Sequence, residues 1–258
     1  MTFKHGIKTG LKSYSNALSF IFTQRLYWFF IFPVLFNIIL FAAGYHTTAS
    51  LSEEAINSLN EWIGMAEWSF WGASFIADLT KGLIWFTLRL SFFLLYAYIG
   101  GYLILIILSP VFAYLSEITE KKLTGQNIPF NFIQFIKDIG RGITLALRNL
   151  TIELLLTFLL FVASFIPVAG YFTTPVLLMI SSYFYGFSFM DYSMERKQMK
   201  VHESINFVRT HRGMAIGNGI VFSLTLMIPY IGITLAGFLS IISVVAATLA
   251  IQQITAEK

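Results

Sequence analysis

The side chains able to do chemistry fall mainly in two charged stretches. Between Glu117 and Glu153 stand Lys121, Lys122, Lys137, Arg141 and Arg148 against Glu117, Glu120, Asp138 and Glu153. Between Met190 and Arg212 stand Arg196, Lys197, Lys200, Arg209 and Arg212 against Asp191, Glu195 and Glu203. On helices, Glu117 and Lys121 share a face, as do Lys137 and Arg141, because residues four apart are neighbours. The chain has no Cys, which excludes disulfides, thiolate metal sites and cysteine nucleophiles. The histidines at 5, 46, 202 and 211 have no metal-ligand spacing on one expected helix. Glycine-rich phosphate loops and a Gly-x-Ser-x-Gly elbow are missing. The chain is therefore expected not to be an enzyme and to need no cofactor. What remains is electrostatic chemistry. Cations and helix N-termini at the ends of apolar helices favour an anion; equally, Lys121, Lys122, Lys137 and Arg141 fit ordinary cytoplasmic surface charge.

The elements that must position these charges are written in the composition. Of 258 residues, 57% are hydrophobic and 12% charged, against about 25% charged in soluble chains. One core cannot hide so much apolar surface, so lipid is expected to be the solvent for much of it. The 27 Phe, 12 Tyr and 5 Trp suit a lipid-facing surface and a headgroup belt. The net charge of +4 fits topology signalling and contact with anionic lipid, not nucleic acid. No cleavable leader pattern precedes the first apolar run, and the N-terminus is expected to stay.

Residues 1–25 form an expected amphipathic segment. Phe3, Ile7, Leu11, Tyr14, Leu18 and Ile21 recur at helical spacing beside a strip of Lys4, Lys8 and Lys12. Such a helix lies in the headgroup layer, either as a cytoplasmic anchor or as an anion-collecting entrance. Residues 26–45 and 82–116 are expected to span. The first is 20 residues long, about 30 Å of helix; Pro33 and Asn37 inside it are expected to face other helices. In the second, Gly100-Gly101 offers close helix approach and Pro110 a kink near the far end, while Arg89 near its start snorkels or pairs. Between the spans, Glu53, Glu54, Glu61, Glu67 and Asp78 face one cation, Lys81, which suggests the non-cytoplasmic side; Trp62, Trp68 and Trp71 suggest an interfacial helix there.

Two apolar runs are broken. Residues 154–190 hold no charge in 37 positions and are interrupted at Ile166-Pro167-Val168-Ala169-Gly170 and again at Pro175. Residues 214–254 repeat the design around Ile228-Pro229-Tyr230-Ile231-Gly232, at an offset of 62 positions that also aligns Ile180-Ser181 with Ile242-Ser243. The first arm, 154–166, reads as 13 residues, about 20 Å, too short to span. Cation-rich flanks on both sides favour helical hairpins that enter and leave by one face. The expected fold is one all-α membrane domain: two long spanning helices, two partly inserted helical hairpins, amphipathic surface helices, and both termini cytoplasmic.

Five stretches in order resemble the family of CysZ sulfate permeases and etoposide-induced membrane proteins. They are Leu108-Ser-Pro-Val-Phe-Ala-Tyr-Leu-Ser-Glu-Ile-Thr-Glu-Lys-Lys-Leu-Thr-Gly125, Ser164-Phe-Ile-Pro-Val-Ala-Gly170, Asp191-Tyr-Ser-Met-Glu-Arg196, Arg212-Gly-Met-Ala-Ile-Gly-Asn-Gly219 and Met227-Ile-Pro-Tyr-Ile-Gly232. The resemblance covers about Gly10 to Ala250. It implies an oligomeric bacterial inner-membrane protein that passes a small inorganic anion, sulfate being the family's, without ATP. It also implies an anion contact near the first hairpin, where this chain has Ala17-Leu18-Ser19-Phe20 and then Tyr27-Trp28 in place of the family's arginine pair. Leu18, Ser19 and Arg25 are the matching candidates for binding the anion. Glu117, Glu120, Lys121 and Arg141 are the matching candidates for a charged pore lining. A non-transporting membrane scaffold or partner-binding protein of the same fold is the competing expectation.

Overall fold

The computed structural model describes residues 2–39, 72–125, 131–228 and 231–256, with the isolated positions 54, 57, 58, 61 and 62. The end of the first expected span, most of the acidic segment with Trp68 and Trp71, and the side chain of Arg89 lie outside the described residues. Among the described residues every element is helical, as an all-α membrane protein requires: a bilayer leaves no water to satisfy the backbone, and a helix satisfies its own. The helices are α1 (Phe3–Thr23), α2 (Tyr27–Ile39, opening with a 3-10 turn at Tyr27–Phe30), α3 (Ala73–Ile107), α4 (Ser109–Thr124), α5 (Phe132–Ala163), α6 (Pro167–Arg196), α7 (Val201–Thr210), α8 (Arg212–Leu226) and α9 (Gly232–Ala256). The chain divides into two compact units, residues 35–99 and the remainder. The smaller one presents Phe75, Leu79, Leu83 and Phe86 as exposed apolar side chains along α3.

In the larger unit α1 is amphipathic in three strips. Gly6, Gly10, Ser13, Tyr14, Ala17 and Ile21 are buried. Phe3, Leu11, Leu18 and Phe22 are exposed, and Lys4, Lys8 and Lys12 are exposed beside them. The expected apolar face is thus split: Tyr14 and Ile21 are buried against protein, while Phe3, Leu11 and Leu18 stay exposed. Both ends of α1 meet cation-rich segments. The Phe3 carbonyl abuts Gly213, and Lys122 donates to the Gln24 side chain at 3.2 Å. The chain then turns by 106° into α2, with Arg25 at φ 56° making the corner. A surface helix followed by a helix that leaves the surface matches this geometry.

The second expected span is a 35-residue helix, α3, whose residues 100–107 meet α4 across Leu108 at a bend of 61°. Pro110 accounts for the bend. Its ring has no N–H and clashes in a helix interior, yet it fits the first turn of a new helix, which is where it stands. Gly125 at φ 69° closes α4, its N–H bonded to the Lys121 carbonyl.

The first broken run differs from its expectation. Its first arm is not 13 residues, because α5 begins 22 positions earlier at Phe132 and runs for 32 residues, about 48 Å. Charged positions 137–153 were counted as a flank, but their apolar neighbours recur at helical spacing and continue one helix. The run breaks at 164–166, whereas α6 passes unbroken through Pro175. One proline removes a single backbone bond, which the rest of a 30-residue helix outlasts. In the second run the break is where expected, between α8 and α9. By length and apolarity α5 and α9 each suffice to cross a bilayer, and the two bent pairs, α1 with α2 and residues 100–107 with α4, add up to two more. Only 22% of the apolar window of α5 is buried, against 72% in α9. The outer half of α5 therefore offers its side chains to lipid or to another chain, and α9 faces protein.

The packing centre is α8. Its 15 residues include Gly213, Gly217 and Gly219. A methyl group at Gly217 would lie 2.5 Å from the Ile7 carbonyl oxygen of α1, and one at Gly219 would lie 1.9 Å from the Ser182 carbonyl oxygen of α6. Gly186 of α6 returns the approach: a Cβ there would run into the Ala215 carbonyl oxygen. Small residues let membrane helices approach backbone to backbone, where dispersion and polar contacts replace the missing hydrophobic drive. A polar pin crosses the same region: the Tyr14 hydroxyl donates to the Asn218 carbonyl and lies 2.7 Å from Ser243 Oγ.

Candidate functional site

The charged ends of several helices converge in the larger unit on one cleft of about 1050 Å³. Three local rules place them. Asn131 caps α5, accepting from the Gln134 N–H at 3.1 Å, as N-cap residues do. From there Gln134, Asp138 and Arg141 fall on one face, at spacings of four and three. At the end of α6, Asp191 and Glu195 share a face by the same rule. The glycine stop at Gly125 leaves Glu117, Glu120 and Lys121 on the last turns of α4. All four expected pore-lining residues, Glu117, Glu120, Lys121 and Arg141, line the cleft, joined by Gln134, Glu195, Arg196 and Lys200 among others.

Arg141 is the clamp of this arrangement. Its Nε donates to Asp191 Oδ2 at 2.9 Å and its Nη2 to Asp191 Oδ1 at 2.7 Å. Nη2 also donates to Ser204 Oγ at 2.7 Å, and Nη1 to the Met199 carbonyl. A guanidinium has five N–H donors in a planar fork, so most of this fork is committed within the protein. Asp191 is buried at 3% exposure, and its charge is met by the bidentate pair. Arg196 pairs with buried Asp138 and, at 3.4 Å, with Glu117. Gln134 donates to Asp138 at 2.7 Å. Gln252 of α9 donates to Glu120 at 2.7 Å, and Lys197 donates to Thr255 at 2.7 Å. Lys121 is exposed on the cleft wall.

Burial pushes the Glu195 carboxyl up to about 7; Arg141 opposes the rise and the Asp191 carboxylate adds to it. Burial likewise lowers the Lys197 ammonium, with Glu120 opposing. The cleft wall thus holds an acid that changes charge near neutral pH.

The other three candidates lie apart from these contacts. Leu18 is exposed, Ser19 is exposed on α1 in line with Lys8, Lys12 and Ser15, and Arg25 is exposed at the corner after α1. They share with the cleft the link from Gln24 to Lys122 at the end of α4. The residues not singled out for the site from sequence are Asp138, Asp191, Glu195, Arg196, Ser204 and Gln252. The face shared by Gln134, Asp138 and Arg141 is a readable signal for the first.

The model of the family described as "Sulfate transporter CysZ/Etoposide-induced protein 2.4" matches residues 13–236. The chain belongs to this family. Similar proteins include the sulfate transporter CysZ of Pectobacterium atrosepticum, 26% identical over 214 residues, covering 80% of this chain and 72% of that one. The sulfate transporter CysZ of Pseudomonas paraeruginosa is 22% identical over 233 residues, covering 88% and 89%. That of Pseudomonas syringae pv. tomato is 23% identical over 229 residues, covering 87% and 86%. The stretches that resemble the CysZ family have structural addresses. Leu108–Gly125 is the bent helix α4 with its glycine stop, Asp191–Arg196 is the charged end of α6, and Arg212–Gly219 is the glycine-faced start of α8.

Proposed function

We propose that this CysZ-family chain passes a small inorganic anion, with sulfate as the first candidate, across a bacterial inner membrane without ATP, as a homo-oligomer with cytoplasmic termini. The observation that carries the reading is the cleft. Its walls hold Lys121, Arg141, Arg196 and Lys200 against Glu117, Glu120 and Glu195. Arg141 and Arg196 are paired with Asp191 and Asp138, and Lys121 and Lys200 are exposed. Exposed cations on concave walls draw an anion, and the ammonium of Lys121 is the first group it meets. Leu18, Ser19 and Arg25 serve as an outer contact reached by way of α1. Purified protein in sulfate-loaded liposomes is expected to give saturable flux above empty vesicles, and Lys121→Ala with Lys200→Ala is expected to raise KM severalfold with the fold intact. Flux no greater than that of empty vesicles would exclude transport.

The pH dependence follows from Glu195. Below about 7 its carboxyl is neutral, so the cleft is more positive and anion uptake is expected to increase as pH falls through neutrality. Glu195→Gln keeps the neutral form and should flatten that profile. Stability runs the same way. The group's contribution is full below its ordinary value of 4.5 and is lost as pH rises through about 7, a difference of at most about 3 kcal/mol. Melting curves of wild type and Glu195→Gln across that window check the sign.

A non-transporting scaffold is the second reading. It is favoured by the commitment of Arg141 and Arg196 to internal acids and by Tyr27-Trp28 at the place of the family's arginine pair. The same liposome experiment separates the two.

A further inference from the structure

A second carboxylate lies away from the cleft, inside the apolar half of α5. Glu153 stands 12 residues beyond Arg141 and 10 before the helix end at Ala163, about 18 Å and 15 Å along the axis. It is 2% exposed. Tyr102 of α3 donates its hydroxyl to Oε2 at 2.5 Å, and Ser181 of α6 donates to Oε1. Among the described residues no Lys, Arg or His forms an ion pair with it.

On α5, Arg148 lies more than a turn away and donates to Asn149 Oδ1 at 3.0 Å. On α6 the ring of Tyr185 packs on Tyr102 with centroids 4.9 Å apart. From α4 the polar contact to α5 is Ser109 to the Ile139 carbonyl, nearly four helical turns from Glu153. Among the described residues the hydrogen-bond partners of the carboxyl are thus two neutral hydroxyls.

A bare carboxylate in an apolar site costs several kcal/mol unless it is paired, and such groups take up a proton instead. Hydroxyls suit that exchange. Each can donate to a carboxylate or turn to accept from a carboxylic acid, so both protonation states are satisfied with no side chain displaced. Ionisable residues inside membrane segments are costly and mark relays and pathways. We propose that Glu153, Tyr102 and Ser181 form a binding site for one exchangeable proton within the bilayer. The site is independent of whether an anion crosses.

The test uses the full-length protein in lipid vesicles and a membrane-soluble carbodiimide, which attacks a protonated carboxyl in an apolar setting and leaves an N-acylurea adduct. Peptide mass spectrometry is expected to find the adduct at Glu153 at neutral pH and to find it strongly diminished at alkaline pH. Infrared spectra at neutral pH are expected to show the C=O stretch of a carboxylic acid that Glu153→Gln removes and that Tyr102→Phe shifts. An unlabelled Glu153 at neutral pH, or the absence of that carbonyl band from wild type, would overturn the proposal. Labelling of the wild-type chain needs no variant to fold.

Discussion

Replacing Arg141 with alanine is expected to lower stability by about 3–5 kcal/mol, the cost of breaking a buried pair from one side. The substitution removes both bonds to Asp191 and those to Ser204 and to the Met199 carbonyl, and leaves Asp191 charged and buried. The end of α6, the 197–200 turn and α7 lose their common tie at once. Arg141→Lys is expected to recover little, because one ammonium cannot hold the bidentate geometry. Asp191→Asn with Arg141→Ala should be milder than Arg141→Ala alone, since no buried charge remains. Thermal melts in detergent check the order. If Arg141→Ala melts like wild type, the clamp is not what holds α5 to α6. Sulfate flux in liposomes is expected to fall with it, because the same guanidinium forms part of the cleft wall.

The second large effect is expected at Gly219. A Cβ there would lie 1.9 Å from the Ser182 carbonyl oxygen and 2.6 Å from the Gly186 amide nitrogen. Both are backbone atoms of α6, so no rotamer change relieves the clash and the helices must separate. Overpacking typically costs about 1–3 kcal/mol, occasionally more. Gly219→Val belongs at or above the upper end, since backbone must move and the Tyr185–Phe222 and Phe189–Phe222 ring contacts separate with it. Gly140, with nothing near its Cβ, is the control: Gly140→Ala is expected to leave melting unchanged or slightly raised, as alanine favours helix. Size-exclusion profiles and melting midpoints of the two variants make the comparison.

Much of the architecture was legible because lipid imposes it. The lysine strip of α1, the proline bend at Pro110, the glycine stop at Gly125 and the break before Gly232 each have a local cause that the residues themselves declare. Asn131 reads as a helix start and caps α5, but the continuation of that helix past Glu153 was not legible from charge, because a helix with a polar first half and an apolar second half looks like a flank followed by a short arm. Glu117, Glu120, Lys121 and Arg141, the candidates for a pore lining, lie together on one cleft. Their partners Asp138, Asp191, Arg196 and Gln252 come from three different helices, and such pairing depends on tertiary register that no spacing rule encodes. Glu153 stood in the sequence as one more flank charge; its enclosure by Tyr102 and Ser181 exists only once α3 and α6 are packed against α5.

The glycine faces of α8 also bear on how the protein can move. Contacts between side chains have slack, because rotamers yield before backbones do. At Gly186, Gly213, Gly217 and Gly219 there is no side chain to yield, and a slide by part of a helical turn would drive a neighbouring Cβ or carbonyl into its opposite number. Helices α1, α6 and α8 are therefore keyed together like the teeth of a locked gear. Compliance is left to the apolar half of α5, which is loosely covered, while the arginine clamp fixes its other half in register.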